Sequence, residues 1–177
     1  MSRFFGPVRQ MGYVVRDLEA AMNYWTGTMG VGPFFHLEHA QFIDFRYKGA
    51  PSDLWVSAAL GQCGDVQIEL IQQRNDAPSM YRDFLAAGRE GLQHIAFWHP
   101  PGAYEAKLEE ALARGYTVAM SAATIDETGK LVYFAEEAHP GTAIELSCLS
   151  PSKAKVFGMI ADAARDWDGS DPIRRLD

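Results

Sequence analysis

Cysteine is scarce: of 177 residues only Cys63 and Cys148 carry a thiol, too few for a disulfide framework, so a reducing, cytoplasmic setting is expected. Positive charge is short as well. Sixteen Lys and Arg face 23 Asp and Glu, a net charge of −7. A chain this acidic neutralises phosphate backbones poorly, which argues against nucleic acid as a partner. The densest basic group, Arg174-Arg175, reads as part of a solvated tail. No apolar run approaches the roughly 18 residues of a membrane-spanning helix, so no membrane partner is expected. The opening MSRFFGPVRQ meets two Arg and a Pro before any apolar stretch, unlike a secretory signal. Nucleotide and hydrolase motifs are missing too. There is no G-x-x-x-x-G-K-[ST] loop, no G-x-S-x-G elbow and no C-x-x-C. Gly30-Val31-Gly32 follows a helix pattern and lacks the third glycine of a dinucleotide fingerprint.

What remains is an ordinary globular composition, 47% hydrophobic and 22% charged, at a length that fits one domain or two small modules. Residues 8–15 read as a strand, and Asp17 caps a helix whose Leu18, Ala21, Met22 and Trp25 share one face before Gly30 stops it. Strands follow at 34–48, 53–60 and 65–73. A linker over 74–91 carries a short helical piece, MYRDFLAA. The order then repeats: a strand at 91–99, a helix after Pro100-Pro101-Gly102, strands at 117–125 and 131–136 joined by a hairpin loop at 126–130, and a last strand at 142–149. The fold class is therefore α+β, with two βαβββ modules over 7–73 and 92–149. Beyond them lies a C-terminal tail (150–177), read as an amphipathic helix from Pro151 with a frayed end.

The repeat concentrates the chemistry. Each module opens on a strand with a polar residue in an apolar context, Gln10 in RQMGYVV and His94 in LQHIAFW. Each closes on Ile-Glu-Leu, which places Glu69 and Glu145 on the face opposite their neighbours. One such glutamate is an ordinary surface residue. Four polar side chains on equivalent strands of a repeat can instead converge if the modules pair, and an amide, an imidazole and two carboxylates suit a divalent metal.

The segments QMGYVVRDLEAAMNYWTGTMGVGPFF, DVQIELIQQ, GLQHIAFW and HPGTAIELSCLSP resemble the vicinal oxygen chelate superfamily, which includes glyoxalase I, methylmalonyl-CoA epimerase, extradiol dioxygenases and bleomycin-resistance proteins. The resemblance spans about residues 7–150. It implies a cup-shaped mixed sheet around a metal cleft, with Gln10, Glu69, His94 and Glu145 as the metal ligands. That set is similar to the Gln/Glu/His/Glu arrangement of eukaryotic glyoxalase I. Tyr24-Trp25 departs from the glyoxalase I pattern, and the short linker looks more like the compact epimerase-type members. By the same resemblance Glu145 is favoured as base and ligand, with Glu69 as the ligand from the opposite module; both glutamates are catalytic candidates, either of which can serve as the base, and one divalent ion is the cofactor. Zinc is the first expectation, and nickel, cobalt, manganese and magnesium also suit these donors.

The reaction such a site supports is proton transfer next to a metal-bound carbonyl of a small, apolar or thioester substrate, in an isomerase, epimerase or lyase. The alternatives are a non-catalytic small-molecule binder of the bleomycin-resistance type, or an extradiol-type dioxygenase, although that chemistry favours two histidines and one carboxylate. His36 and His39 cannot share one metal on a strand. His39, with Tyr47, Trp55, Trp98 and Tyr133, is expected to wall the substrate pocket, and Cys148 is read as a buried, inert thiol. Modules of this kind often pair across chains, so a homodimer is expected.

Overall fold

The computed structural model describes residues 1–124 and 128–176. In chain order the elements are β1 (Gln10–Val14), α1 (Leu18–Gly27), β2 (Phe34–Ala40), β3 (Phe42–Tyr47), β4 (Ala50–Pro51), β5 (Val56–Cys63) and β6 (Val66–Gln73). After α2 (Met80–Ala86) come β7 (Gly91–His99), α3 (Pro101–Ala113), β8 (Val118–Thr124), β9 (Lys130–His139) and β10 (Thr142–Cys148). The chain ends in α4 (Pro151–Arg165) and β11 (Ile173–Arg175). This is an α+β fold, and all its strands join one mixed sheet, ordered β11-β2-β5-β6-β1-β7-β10-β9-β8-β3-β4.

The repeat is visible in that order. Within each half the first strand runs parallel to the last, β1 beside β6 and β7 beside β10, and the other pairs are antiparallel. The halves meet where β1 pairs antiparallel with β7. Strand alternation then decides what each face buries. Ile68 and Leu70 join Leu18 and Met22 of α1 in one cluster, while Ile144 and Leu146 join Tyr104 and Ala111 of α3 in another. The helices thus cover the outer face, and Glu69 and Glu145 are turned to the inner one. Asp17 starts α1 as expected, its side chain accepting the Ala20 N–H at 2.9 Å.

Residues 34–48 do not form one strand. β2 pairs with β5 in the first half, whereas β3 pairs with β8 in the second. Only Gln41 lies between them, so Ala40 and Phe42 are at most about 7 Å apart. Yet β2 and β3 stand near opposite ends of the sheet order. The sheet must therefore curl until its ends meet, which makes a cup instead of an open surface. The strand expected at 53–60 runs instead over Val56–Cys63, and Gly64 turns the chain at a positive φ of 58°.

The tail is ordered further than expected. Ser150 caps α4 by accepting the Lys153 N–H, and Ile160 is buried against Phe35 and Leu60 of the cup. β11 then pairs parallel with β2, so the end of the chain is an edge strand and not a frayed helix. Of the expected hairpin loop, Asp126 and Glu127 lie outside the described residues. Around them the Thr124 N–H donates to the Gly129 carbonyl at 2.7 Å.

Candidate metal centre

Four strands meeting at the middle of the sheet supply the polar residues of the inner face. Register sets them side by side: Gln10 lies opposite Ala96, Ala96 opposite Glu145, and Gly12 opposite both Glu69 and His94. Ligand atoms of Glu69, His94 and Glu145 all lie within 4.8 Å of one another. His94 Nε2 is 3.3 Å from Glu69 Oε2 and 3.3 Å from Glu145 Oε2, one carboxylate from each half. One chain alone builds this cluster.

Several neighbours fix how the cluster presents its atoms. Between Gly12 and Tyr13 the β1–β7 register shifts, so Gln93 and His94 share a bulge and both side chains are buried. His94 Nδ1 lies 3.0 Å from Gln93 Oε1. With Nδ1–H donating to that amide oxygen, the Nε2 lone pair faces the carboxylates, the tautomer a metal needs. Opposite, Gln10 Nε2 donates to Gln67 Oε1 at 2.7 Å, which leaves the Gln10 carbonyl oxygen available. The ring of His94 lies over Gly12, where an added Cβ would come 1.7 Å from Cε1. A glycine inside a strand is explained here by close approach of a ring.

His94 Nε2 is buried and has no hydrogen-bond partner among the described residues. Two carboxylates this close also repel each other unless a cation or proton sits among them. One orphaned imidazole nitrogen, two carboxylate oxygens and one free amide oxygen make a nitrogen–oxygen donor set that fits a divalent first-row cation. Beside it the hydroxyls of Tyr81 and Tyr133 lie 2.9 Å apart. Tyr133 also packs edge-on to His94 with ring centroids at 5.0 Å. Burial first, then the charge of Glu69 and Glu145, holds both phenols protonated well above the usual tyrosine value. One hydroxyl donates to the other, so the pair leaves one O–H as a donor at the wall of the site.

The cluster opens into a cavity of about 320 Å³. Gln10, Glu69, Glu145, Tyr81 and Tyr133 lie at its polar end. Leu37, Leu60, Leu131, Val156, Phe157 and Leu176 make its walls apolar.

Of the aromatic wall expected from sequence, Tyr133 lines this cavity and the others lie elsewhere. His39 and Trp55 are exposed and pack on each other with centroids 5.5 Å apart, because β2 bends away at that point to reach the other end of the sheet. The Tyr47 hydroxyl donates to Asp83 of α2 and lines a separate cavity with Lys48 and Gln93. Trp98 stands behind the wall, 4.7 Å from the Phe157 ring, with its indole N–H buried and unpaired among the described residues. His36 sits 3.7 Å from Glu38, away from the cluster. Cys148 is buried in the outer core beneath α3.

Sequence reasoning missed Gly12, Gln67, Gln93 and Tyr81, and every residue that α4 contributes. A signal existed for two of them: Gln67 and Gln93 are polar residues inside apolar strands, the same feature that singled out His94.

The profile of the Glyoxalase/Bleomycin resistance protein/Dioxygenase superfamily matches residues 9–134. No curated protein sequence matches the chain. Among solved structures, the chain is similar to methylmalonyl-CoA epimerase from Mycobacterium tuberculosis, with TM-score 0.58 and 17% identity over 88% of this chain and 95% of that one. It is similar to a hypothetical protein from Bacillus halodurans C-125, with TM-score 0.55 and 16% identity over 80% and 92%. A Streptomyces coelicolor methylmalonyl-CoA epimerase variant matches with TM-score 0.51 and 18% identity over 80% and 93%.

Proposed function

The chain belongs to the glyoxalase/bleomycin resistance protein/dioxygenase superfamily, and from that premise we propose that it is a divalent-metal-dependent isomerase, epimerase or lyase that moves a proton next to a carbonyl of a small, largely apolar substrate. One observation carries this reading above the others. A buried histidine nitrogen with no hydrogen-bond partner among the described residues faces one carboxylate from each half of the repeat at 3.3 Å. A protein that only wraps a ligand has no use for such a set, whose burial is costly.

Gln10 Oε1, Glu69, His94 Nε2 and Glu145 would hold the ion. Bound there, it supplies a Lewis acid for two adjacent substrate oxygens. The chain's own residues do the rest. Glu145 is the base: its carboxylate is 3% exposed against 20% for Glu69, so water does not solvate it, and it reaches the cavity where the substrate carbon must sit. Glu69 stays as the opposite ligand. With the Tyr133 and Tyr81 hydroxyls bonded to each other, one O–H of the pair remains to donate to oxygen charge as it develops, and Gln93 keeps the imidazole proton on Nδ1. The leucine and phenylalanine walls exclude water and suit an apolar substrate body. The epimerase likeness agrees with proton transfer and rests on the fold alone.

The test is metal content by mass spectrometry on tag-free protein, wild type beside Glu69→Ala and Glu145→Ala. The expected result is close to one divalent ion per chain, lost from both variants, followed by solvent deuterium exchange into acyl and keto compounds. A wild type that takes up no zinc, nickel or manganese on soaking overturns the reading, and the cleft is then a ligand-binding pocket.

A further inference from the structure

Resting on that function, we propose that the substrate carries one negative charge, and that Lys153 binds it in the same cavity onto which the metal centre opens. Lys153 is the single cation among the described residues lining the main cavity. Nothing in the sequence pattern marks it, since it belongs to the tail that lies outside the repeat.

Its position is built. Lys153 stands in the first turn of α4, the helix that Ile160 anchors to Phe35 and Leu60. The ammonium lies 5.2 Å from the Phe157 ring centre and donates to Ser147 Oγ. Ser147 is fully buried and follows Glu145 by two places on β10, so both side chains point to the inside of the cup. Two residues along a strand span about 7 Å, so the Ser147 hydroxyl that holds the ammonium stands one inward-facing position from the base on the same strand.

Charge then argues for an anion. Among the described residues no carboxylate lies within ion-pair distance of the Lys153 ammonium. The two glutamates balance a divalent ion, so the lysine charge stays unmatched until the substrate brings its own. A half-buried cation beside apolar walls is costly when left alone, and a carboxylate arriving there forms a charge-assisted hydrogen bond. Because no other cationic side chain among the described residues lines the cavity, a second anionic group would find no charged partner on its walls. The substrate class is therefore a carbonyl compound with an apolar body and one carboxylate.

Two probes differing only in charge test this by titration calorimetry on the metal-loaded full chain. Glutaric acid monohydroxamate carries two adjacent chelating oxygens and a distal carboxylate; its methyl ester lacks the charge. Metal uptake is measured first. The expected result is wild type binding the acid about tenfold tighter than the ester, a preference that falls to within about twofold in Lys153→Gln. Lys153→Arg, which keeps the charge, should retain it. Equal binding of acid and ester to loaded wild type, or a preference that survives Lys153→Gln, overturns the anion proposal while the metal reading stands. Absence of metal overturns both.

Discussion

A histidine in a strand binds a metal only if something holds its proton on the far nitrogen. In this chain Gln93 does so, through a bulge that turns two successive side chains toward the same interior. Gln67 plays the matching part for Gln10. Both glutamines are almost fully buried; each amide oxygen meets its partner, while Gln67 Nε2 has no hydrogen-bond partner among the described residues, a desolvation cost the site carries. Removing the acceptor should be felt at the metal. Gln93→Leu is expected to weaken zinc binding by about 10- to 100-fold, read by chelator competition, while Gln93→Glu, which still accepts from Nδ1–H, retains it. Equal affinity in wild type and Gln93→Leu would show that the tautomer is set elsewhere.

At the scale of elements, the segment 34–47 shows how one stretch of chain serves both ends of one sheet. Its Phe and Tyr content reads as a strand throughout, but the strand breaks at Gln41 and Asp44 takes a positive φ of 48° within β3. What the pattern lacks is the partner, since β2 finds β5 and β3 finds β8. This bend moves His39 to the surface and sends Tyr47 to α2 in place of the main cavity. The contact it makes there is testable. The Tyr47 hydroxyl, followed by the Lys48 ammonium, holds the Asp83 carboxyl below its ordinary value of 3.8. A carboxyl with a lowered folded-state pKa contributes stability above its ordinary pKa and loses it as the pH falls through the lowered one. Asp83 is more than half exposed, so the effect is small. Asp83→Asn should lower Tm slightly at pH 7, and the gap should close as the pH drops below 3.8. A gap that persists in acid would assign it to packing instead.

For the whole molecule, the two halves, the closed cup and the tail together create a site that is costly when empty. Two carboxylates face each other across an interior imidazole, so the metal-free protein stores repulsion that a cation relieves. An ion at about 100 times its dissociation constant should add about 2.7 kcal/mol, raising Tm by about 5–10 °C for a chain of this length. Glu145→Gln reverses the order. Without metal it should melt above wild type, because the repulsion is gone; with zinc it should melt below, because the ligand is gone. Thermal melts of both proteins with zinc and with chelator check this, and parallel shifts in both would place the ion outside the cluster.

The repeat, the α+β class and the polar positions Gln10, Glu69, His94 and Glu145 were readable because they depend on local order: alternation in a strand, a cap before a helix, breakers between them. The same alternation told which face the glutamates share but not whether that face is water or interior. Only the curl of the sheet, enforced by the single residue between β2 and β3, turned it inward. The pocket walls were hidden for the same reason. Leu60, Tyr81, Val156, Phe157 and Lys153 come from a strand, the linker helix and the tail, and nothing in their spacing along the chain relates them. Spacing within an element is a property of the backbone and can be read from sequence. Proximity between elements far apart in the chain is decided by which apolar faces find each other, and that required the folded molecule.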